Sequence, residues 1–414
     1  MPRQIHVVGA GLAGLSAAVQ MISRGLAVTV HEATGQAGGR CRSYYDSTLG
    51  MEIDNGNHLV LSGNAATLSY LDAIGSRAGL AAPPSASFPF VDLATGESWT
   101  LRANDGIIPW WILDPARGVP GARLLEYLAL AKLMRAKSGA TIGETISCSG
   151  PLYSRLIEPL LIAALNTEPR SASAALAGAV IRETLAAGGR NYRPLIAIKG
   201  LHNVFVGPAL QYIATHRGAV NFSRRLRQLE LDGDRVTALD FGDASVRLAP
   251  GDAVVLAVPP PVAQSLVPGL STPTEYRAIV NAHFRIAPPK DLAPMIGVIN
   301  GLTQWLFAFP GRLSVTISAA DNLLDQSREE LARRIWAEVA EIAKIADAQP
   351  AWQIVRERRA TFAALPREEA RRPAARTAWR NLVLAGDWTR TGLPATIEGA
   401  IRSGRQAAEM IALI

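Results

Sequence analysis

Residues 4–32 contain a complete βαβ unit, the feature that most restricts how this chain can fold. Apolar residues at 5–8 predict a strand, and the sequence GAGLAG follows at residues 9–14. Helix-forming residues continue to about 23, and residues 27–30 predict a second strand. A strand, a glycine-rich turn, a helix and a strand in this order are typical of dinucleotide-binding α/β proteins with a parallel sheet.

The residue types in this turn fit a dinucleotide. Gly9 permits the tight turn, Gly11 lets backbone N–H groups approach a pyrophosphate, and Gly14 lets the helix pack closely on the strand. Glu32, at the end of the second strand, can accept hydrogen bonds from ribose hydroxyls and would repel a 2′-phosphate, which disfavours NADP. The predicted contacts here are Gly9, Gly11, Leu12, Ala13, Gly14, Glu32 and Ala33.

Length and composition set broad limits. A chain of 414 residues predicts two or three domains. The net charge of +7 could favour an anionic membrane surface or nucleic acid, but the basic residues are spread along the chain beside acids, and no nucleic-acid motif is present. Two distant residues, Cys41 and Cys148, argue against a disulfide framework and for a reducing cytoplasm. The histidines lack metal-ligand spacing, so no metal is expected.

A second glycine-rich segment, GQAGGRCR at residues 35–42, bears on whether the dinucleotide is FAD or NAD. It resembles the extension found in FAD proteins of the amine oxidase and phytoene desaturase superfamily. The resemblance implies that Gly38 and Gly39 run past the pyrophosphate and that Arg40 neutralises phosphate charge. The alternative is a surface turn with an exposed arginine.

The C-terminal region contains a matching element. Residues 382–385 predict a buried strand, with Gly386 and Asp387 at its carboxyl end, where ligands bind in parallel sheets. A helix is predicted to begin near Thr396 and Ile397, with its positive end available to a flavin. This resembles the second FAD signature of the same superfamily, which implies that Asp387 binds a ribityl hydroxyl. The alternative is a capping or turn acid.

The intervening sequence predicts a discontinuous architecture. Residues 220–259 have the alternation and Asp-Gly turns of a β-meander and end in a buried strand. The resemblance implies that backbone near Leu226 meets the adenine. We therefore predict an α/β fold with a discontinuous Rossmann-like FAD-binding domain and an α+β substrate domain with a helical part and a mixed or antiparallel sheet. The FAD domain comprises residues 1–80, 195–262 and 372–414, and the substrate domain comprises 81–194 and 263–371.

The segment IDNGNHLVLSGN, residues 53–64, combines polar side chains with core-type residues. In the superfamily this position passes beside the isoalloxazine ring, which implies buried lining rather than a surface turn. Gly56 would then let backbone approach the ring, while Asn57 and His58 face the cavity. For His58 three roles remain open: a structural histidine, a flavin contact, or the acid that assists catalysis.

The predicted substrate domain is apolar. Residues 121–187 have a strongly helical composition, and residues 304–309 and 314–317 predict strands. The apolar stripe at residues 152–165 is more typical of ordinary core than of a lipid cavity. Trp110, Trp111, Trp305 and Phe309 favour a large apolar pocket or a membrane-facing entrance. The arginine-rich segment 356–376 is expected to be mostly a solvated arm that could also contact anionic headgroups.

Two segments point to one branch of the superfamily. Together with "LAGDWTRTGLPATIEGA" (384–400), whose glycine-rich pattern is shared across the superfamily, "DNGNH" (54–58) and "AALNTEP" (163–169) resemble the squalene-associated FAD-dependent desaturases, the hydroxysqualene dehydroxylase family. The resemblance implies reductive removal of an allylic hydroxyl from hydroxysqualene and an electron donor of unspecified identity. The two distant cysteines and the lack of a long uninterrupted apolar run favour a cytoplasmic protein, with or without peripheral contact to the inner face of the membrane. The alternatives are an oxidative polyene desaturase or amine oxidase, and a non-enzymatic prenyl carrier.

Overall fold

The structure is a computed structural model that describes residues 3–345 and 348–413. Residues 1, 2 and 414 of the predicted FAD domain, and 346 and 347 of the predicted substrate domain, lie outside the described residues. The strands of the described chain are β1 (Gln4–Val8), β2 (Ala27–His31), β3 (Ser43–Asp46), β4 (Met51–Asp54), β5 (Leu59–Leu61), β6 (Leu80–Ala81), β7 (Ser87–Asp92), β8 (Ser98–Arg102), β9 (Pro194–Ala197), β10 (Ala219–Asn221), β11 (Gln228–Asp232), β12 (Arg235–Asp240), β13 (Ser245–Arg247), β14 (Ala253–Leu256), β15 (Tyr276–Phe284), β16 (Met295–Ile299), β17 (Trp305–Phe309), β18 (Arg312–Ile317), β19 (Trp352–Phe362) and β20 (Leu382–Leu384).

The α-helices alternate with these strands in the first and last parts of the chain and cluster in the middle. They are α1 (Leu12–Ile22), α2 (Ala65–Ala73), α3 (Leu128–Met134), α4 (Ile142–Thr145), α5 (Glu158–Leu165), α6 (Ala174–Glu183), α7 (Gly207–Thr215), α8 (Pro260–Leu266), α9 (Arg328–Ala343), α10 (Pro366–Ala370) and α11 (Ile397–Ala412).

A five-stranded parallel sheet joins distant parts of the sequence. Its order is β10-β2-β1-β14-β20, and every neighbouring pair is parallel. The βαβ unit predicted at the start of the chain is confirmed as β1, α1 and β2. The apolar run predicted to end the meander is confirmed as β14, which pairs with β1. All four residues of β14 are buried, as expected for a central strand covered on both faces.

The predicted meander is also confirmed. Strands β11, β12 and β13 form a separate antiparallel sheet. Gly233 has a φ of +55° in the turn between β11 and β12, a conformation that glycine adopts without steric cost.

A seven-stranded sheet forms the second structural unit, in the order β19-β15-β18-β17-β16-β7-β8. Only the β16–β7 pair is parallel, so the sheet is mixed, as one of the two predicted forms. Helix α9 covers one face, where Ile335, Trp336 and Val339 pack against the strand residues Val280 and Phe284. The two strands predicted within 304–317 are confirmed as β17 and β18.

Residues 121–187 are helical in short pieces rather than in long helices. Helices α3 to α6 occupy this region. Pro151 begins the helical stretch that leads into α5, and Pro169 begins a short 3₁₀ helix before α6. Proline lacks a backbone N–H donor and is tolerated in the first turn of a helix, so these two residues stand where new helical pieces start.

The expectation of a solvated arm at residues 356–376 is wrong. Strand β19 occupies residues up to Phe362 and pairs with β15 at one edge of the seven-stranded sheet. Arg356 donates to the backbone carbonyl of Leu324 at 3.0 Å, and Arg372 has a relative exposure of 0%. The apolar methylene groups of an arginine can pack against the protein while its guanidinium donates to backbone carbonyls. The number of charged residues in a segment therefore does not by itself predict that the segment is solvated.

No helix in residues 3–345 and 348–413 has both the length and the apolar character needed to cross a membrane.

Candidate functional site

The first glycine-rich turn brings the start of α1 close to β14. An ideal Cβ on Gly9 would lie 2.4 Å from the carbonyl oxygen of Ala257, and Gly9 has a φ of +106°. A Cβ on Gly14 would lie 1.9 Å from the carbonyl oxygen of Gly9. Both positions therefore require glycine for packing within the protein itself. The close helix–strand contact predicted for Gly14 is present.

Gly11 differs from its two neighbours. Apart from its chain neighbours, no atom of the described residues lies within 4 Å of an ideal Cβ at this position, and its φ of −73° is ordinary for any residue. Among the described residues no side chain caps the N-terminus of α1, and its first turn carries no acid. The N–H groups of Leu12 and Ala13 thus begin a helix whose positive end is open to an anionic group.

Glu32 lies beside this helix end. One carboxylate oxygen accepts a hydrogen bond from the Ala10 backbone N–H at 2.8 Å, and the other accepts from the Thr34 N–H at 2.9 Å. The backbone around Glu32 is held by Asn221 at the end of β10 and by Arg224. Ala33 is exposed next to it. Glu32 is therefore fixed at the carboxyl edge of the parallel sheet, next to the segment that leads to the buried Leu226.

The second glycine-rich segment lies directly against the first. Gly38 pairs with Gly11 in a parallel bridge, and its N–H donates to the Ala10 carbonyl at 2.8 Å. Gly38 and Gly39 have φ values of +105° and +57°, which place both in conformations that favour glycine. Backbone contacts thus join residues 35–42 to the first glycine-rich turn, so the segment is not an independent surface turn.

Arg40 links the two ends of the chain. Its guanidinium donates to the Asp387 carboxylate at 2.7 Å and to the Ala360 carbonyl at 2.6 Å. The Asp387 side chain is 7% exposed, whereas that of Arg40 is 44% exposed. The carboxylate charge of Asp387 raises the pKa of Arg40. The arginine of the first signature and the aspartate of the second therefore form one ion pair.

The C-terminal helix completes this convergence. Thr396 caps α11 by accepting the Gly399 N–H at 3.0 Å, which leaves Ile397 in the first turn. An ideal Cβ on Gly404 would lie 2.1 Å from the Ala13 carbonyl oxygen, so α11 and α1 are in backbone contact. The N–H of Gly386 donates to the Ser403 hydroxyl at 2.8 Å. The predicted contacts of both signatures lie on one connected surface.

Two structural residues of this region were not predicted. Arg372 is fully buried and donates to the carbonyls of Asp387, Thr389 and Leu393, which hold the loop after β20. Glu398 is 4% exposed and accepts the N–H groups of the first turn of α2. No spacing in the sequence marks either residue, because their partners are distant in the chain.

The segment at residues 53–64 is buried, as predicted. Asp54 is 2% exposed and accepts hydrogen bonds from Ser43, the Leu201 N–H and Arg312. These contacts engage both carboxyl oxygens and tie the segment to β3, to Leu201 and to β18 of the seven-stranded sheet.

Asn57 connects the same segment to the seven-stranded sheet. Its amide donates to the Val315 carbonyl at 3.3 Å and the Thr316 hydroxyl at 3.1 Å, and its N–H points to Asn281 at 3.5 Å. Its side-chain oxygen is buried with no hydrogen-bond partner in the described protein. A buried polar atom without a partner is rare and fits a contact to a ligand atom. An ideal Cβ on Gly56 would lie 3.2 Å from the Asn281 amide.

His58 is half-buried, and desolvation by burial lowers its pKa to about 4 from the ordinary 6.5. The charge of Asp54 raises the pKa and that of Arg40 lowers it, but burial is the larger effect. The imidazole is therefore neutral near pH 7: it can donate a hydrogen bond, but it does not carry the second ring proton that an imidazolium acid would release.

An apolar cluster begins next to His58. Its buried members are Ile196, Met295, Phe307 and Phe309, and Leu59, Phe88 and Trp305 pack against it. It lies between the small β5–β9 sheet and the seven-stranded sheet. Both Trp305 and Phe309, predicted to line a large pocket, are in this cluster, whereas Trp110 is on the surface and Trp111 is buried elsewhere.

The "AALNTEP" segment is anchored to the same sheet. Asn166 adopts a φ of +47°, donates to the Thr361 hydroxyl at 2.9 Å and accepts the Ala319 N–H at 2.6 Å. Thr167 accepts the Ala364 N–H at 2.9 Å. These contacts give the segment a structural role.

The arrangement fits a flavin dinucleotide. The open space at Gly11 and the uncapped N-terminus of α1 provide a place for a pyrophosphate. The Glu32 carboxylate, which accepts the Ala10 N–H, provides an acceptor beside it for a ribose. The orphaned Asn57 oxygen and the neutral His58 lie at the boundary with the apolar cluster. Chemically, the site offers hydrogen-bond donors beside a low-polarity region.

Comparison with known proteins agrees with this geometry. The model of the flavin containing amine oxidoreductase family matches residues 12–412. Hydroxysqualene dehydroxylase of Rhodopseudomonas palustris is 56% identical over 412 residues, with 99% of both chains covered. Those of Sinorhizobium fredii and Zymomonas mobilis are 53% and 46% identical, with 98–99% of each chain covered.

Solved structures show the same fold at low sequence identity. Cyclohexylamine oxidase of Brevibacterium oxydans superposes with a TM-score of 0.73 at 16% identity, covering 100% of this chain and 99% of the other. An oxidoreductase of Methanosarcina mazei superposes with a TM-score of 0.72 at 14% identity, covering 98% and 100%. The predicted fold class is confirmed.

Proposed function

Because the chain belongs to the flavin containing amine oxidoreductase family, and within it to the hydroxysqualene dehydroxylases, we propose that it converts hydroxysqualene to squalene. The protein is an FAD-dependent oxidoreductase. The proposed reaction replaces an allylic hydroxyl by hydrogen: a hydride equivalent and a proton enter, and squalene and water leave. The single observation that best supports it is the Arg40–Asp387 ion pair, which joins the two segments that carry the predicted flavin signatures.

Most of the proposed cofactor contacts fall into two groups. The N-terminal residues would hold the pyrophosphate and ribose, with Leu226 near the adenine. The C-terminal residues would hold the ribityl chain and ring, together with Gly56 and Asn57. The proposed set comprises Gly9, Gly11, Leu12, Ala13, Gly14, Glu32, Ala33, Gly38, Gly39, Arg40, Gly56, Asn57, His58, Leu226, Gly386, Asp387, Thr396 and Ile397.

When bound and reduced, FAD supplies the hydride equivalent that forms the new C–H bond. The chain must assist departure of the hydroxyl, since hydroxide is a poor leaving group. With a pKa lowered to about 4, His58 is suited to donate a hydrogen bond from neutral imidazole, directly or through a water. We propose it as the residue that orients the hydroxyl. The apolar cluster beside Leu59 would exclude water that could trap an allylic cation.

Both substrate and product are long isoprenoids, and we propose that the enzyme acts at the inner face of a membrane through peripheral contact. An electron donor must also reduce FAD between turnovers. The proposed direction distinguishes this reaction from oxidative desaturation, in which the substrate would reduce FAD instead.

The decisive experiment is anaerobic mixing of photoreduced enzyme with hydroxysqualene dispersed in detergent. The expected result is reoxidation of the flavin with formation of one squalene per flavin. Reduced flavin that persists with hydroxysqualene, together with oxidised flavin that is bleached by a polyene or an amine, would contradict the proposal. A purified protein that takes up no flavin would instead indicate a carrier.

A further inference from the structure

Large apolar side chains are exposed in one short region. Twelve such side chains are exposed in the described part of the chain, and seven of them lie between residues 107 and 128. The first group comprises Ile107, Ile108, Trp110 and Leu113, and the second comprises Leu124, Leu125 and Leu128. We call these seven residues the apolar surface. Ordinary surfaces show exposed apolar residues singly, so a cluster indicates a binding function.

Contacts within the protein hold both parts of the apolar surface together. The buried Trp111 meets Tyr127 edge to face, with ring centroids 5.9 Å apart. Asn104 is 7% exposed, and its amide donates to the Ile108 carbonyl at 2.9 Å and the Gly106 carbonyl at 3.2 Å. The exposed residues are therefore presented by fixed backbone.

The rim of the apolar surface is basic. Residues 102–137 contain six arginines and lysines against three acids. The acids are engaged within the protein: Asp105 pairs with Arg193, Asp114 accepts the Ala116 N–H, and Glu126 accepts the Leu152 N–H. Arg117 is engaged as well, since it donates to the Arg102 and Ala103 carbonyls and lies over the Trp110 ring. The outward charge is therefore carried by five exposed cations: Arg102, Arg123, Lys132, Arg135 and Lys137.

An open hollow lies beside Leu128, with a volume of about 580 Å³. Lys132, Arg135 and Lys137 line it together with small apolar residues. Cations next to exposed leucines match the two parts of an anionic lipid, a charged headgroup above hydrocarbon.

Buried side chains connect Trp111, which follows the exposed Trp110, to the interior near His58. Trp111 and Tyr192 belong to one buried hydrophobic cluster, and Tyr192 stacks on Phe88 at 6.2 Å between ring centroids. Phe88 also packs against the apolar cluster that includes Leu59. Aromatic and aliphatic side chains thus extend from the surface to the residue next to His58.

We propose that the apolar surface docks on an anionic lipid bilayer and that the isoprenoid passes from the bilayer along this apolar connection to the site. The route for the substrate rests on the proposed function, whereas the docking does not. A partner of this chemistry satisfies both the exposed hydrocarbon and the basic rim.

The test is flotation of the FAD-loaded protein with vesicles of phosphatidylcholine alone or with phosphatidylglycerol. Wild type is expected to float with the anionic vesicles. Ile108 and Leu125 are 79% and 78% exposed, so the I108D/L125D variant should fold normally but lose about tenfold or more in partitioning for each residue. The K132E/R135E variant should lose at least about 30-fold, since each cation near an anionic surface contributes about fivefold.

Matched controls separate docking from general charge effects. Leu413, outside the apolar surface, is 82% exposed, and Leu413→Asp should leave flotation unchanged. Exposed cations elsewhere provide the K290E/R334E control, which should retain most of the binding. The flavin spectrum and melting temperature confirm folding of every variant.

Several outcomes would overturn the proposal. Wild type that does not float with anionic vesicles is one, and flotation that persists in both I108D/L125D and K132E/R135E is another. A third is a loss of flotation in Leu413→Asp as large as that in I108D/L125D. The fourth is a dimer in solution that I108D/L125D disrupts, in a protein that does not bind vesicles. Activity on detergent-dispersed hydroxysqualene separates the two proposals. Variants that fail to float but turn over dispersed substrate support docking as a distinct role, and wild type that floats but lacks turnover contradicts the proposed function alone.

Discussion

Gly11 and Gly14 provide a test of how the first turn is built, because they stand three positions apart but meet different surroundings. The structure predicts that Gly14→Ala damages the fold, whereas Gly11→Ala damages only the binding of FAD. The comparison requires apoprotein and holoprotein of both variants and of wild type.

The magnitude for Gly14→Ala follows from one distance. The new methyl group would lie 1.9 Å from the Gly9 carbonyl oxygen, whereas ordinary contact begins near 3.4 Å. The helix would have to move by about 1.5 Å against backbone, and overpacking of this kind costs about 3 kcal/mol or more. Alanine gains only about 1 kcal/mol over glycine in a helix. Unfolding of the apoprotein should therefore become easier by at least about 2 kcal/mol.

For Gly11→Ala the protein offers no obstacle within 4 Å, and the backbone is extended. Stability of the apoprotein should stay within about 0.5 kcal/mol of wild type. A methyl group in the space assigned to the pyrophosphate should weaken FAD binding by about 1–3 kcal/mol, roughly 5- to 150-fold. Gly11→Val, with a larger side chain, should abolish uptake of FAD.

The assays are urea denaturation of the apoprotein and fluorescence titration with FAD. Two results would refute the reasoning: an apoprotein of Gly11→Ala that is as unstable as that of Gly14→Ala, or unchanged FAD affinity in Gly11→Ala. The first would show that the turn itself needs glycine at 11, and the second that no ligand atom approaches it.

Substitutions at three further residues test the site. Glu32→Ala should weaken FAD binding by about 1.5–3 kcal/mol, the contribution of a charged hydrogen bond. Glu32→Gln keeps an acceptor for the Ala10 N–H, so it separates this loss from damage to the turn. Unchanged FAD affinity in both variants would place Glu32 away from the ribose. His58→Ala should slow single-turnover reoxidation of reduced flavin by hydroxysqualene by about 100-fold, and a wild-type rate would exclude the orienting role. Burial lowers the pKa of His58 to about 4, so its contribution to stability is complete above pH 6.5 and is lost as the pH falls toward 4. In His58→Gln the free energy of unfolding, measured by urea denaturation, should therefore decrease less steeply with falling pH, by up to about 1.4 kcal/mol per pH unit. Equal slopes in this variant and in wild type would contradict this. Arg40→Met should destabilise the holoprotein by about 1–2 kcal/mol, less than for a fully buried pair because Arg40 is 44% exposed, and a melting temperature like that of wild type would show that the ion pair contributes nothing.

Local rules made much of the fold predictable. The βαβ unit, the meander and strands β17 and β18 each depend on short-range alternation, glycine or proline, and each prediction was confirmed. Charge counting failed at residues 356–376, because β19 pairs with β15 and the arginines find carbonyl acceptors that are remote in sequence. For residues 121–187 the helical composition was predicted correctly, but the division of the region into several short helices was not predicted.

For the site, the sequence by itself determined which residue types stand next to each other: glycines spaced for a tight turn, an acid at the end of β2, and a polar segment that precedes apolar residues. Spacing of this kind depends on local backbone geometry, so it can be read from the chain directly. Tertiary structure alone decided that Arg40 pairs with Asp387, 347 positions away, and that Asn57 bonds to Thr316, 259 positions away. It also decided the burial that lowers the pKa of His58, because burial depends on how the chain packs and not on the residues that stand beside His58 in the sequence.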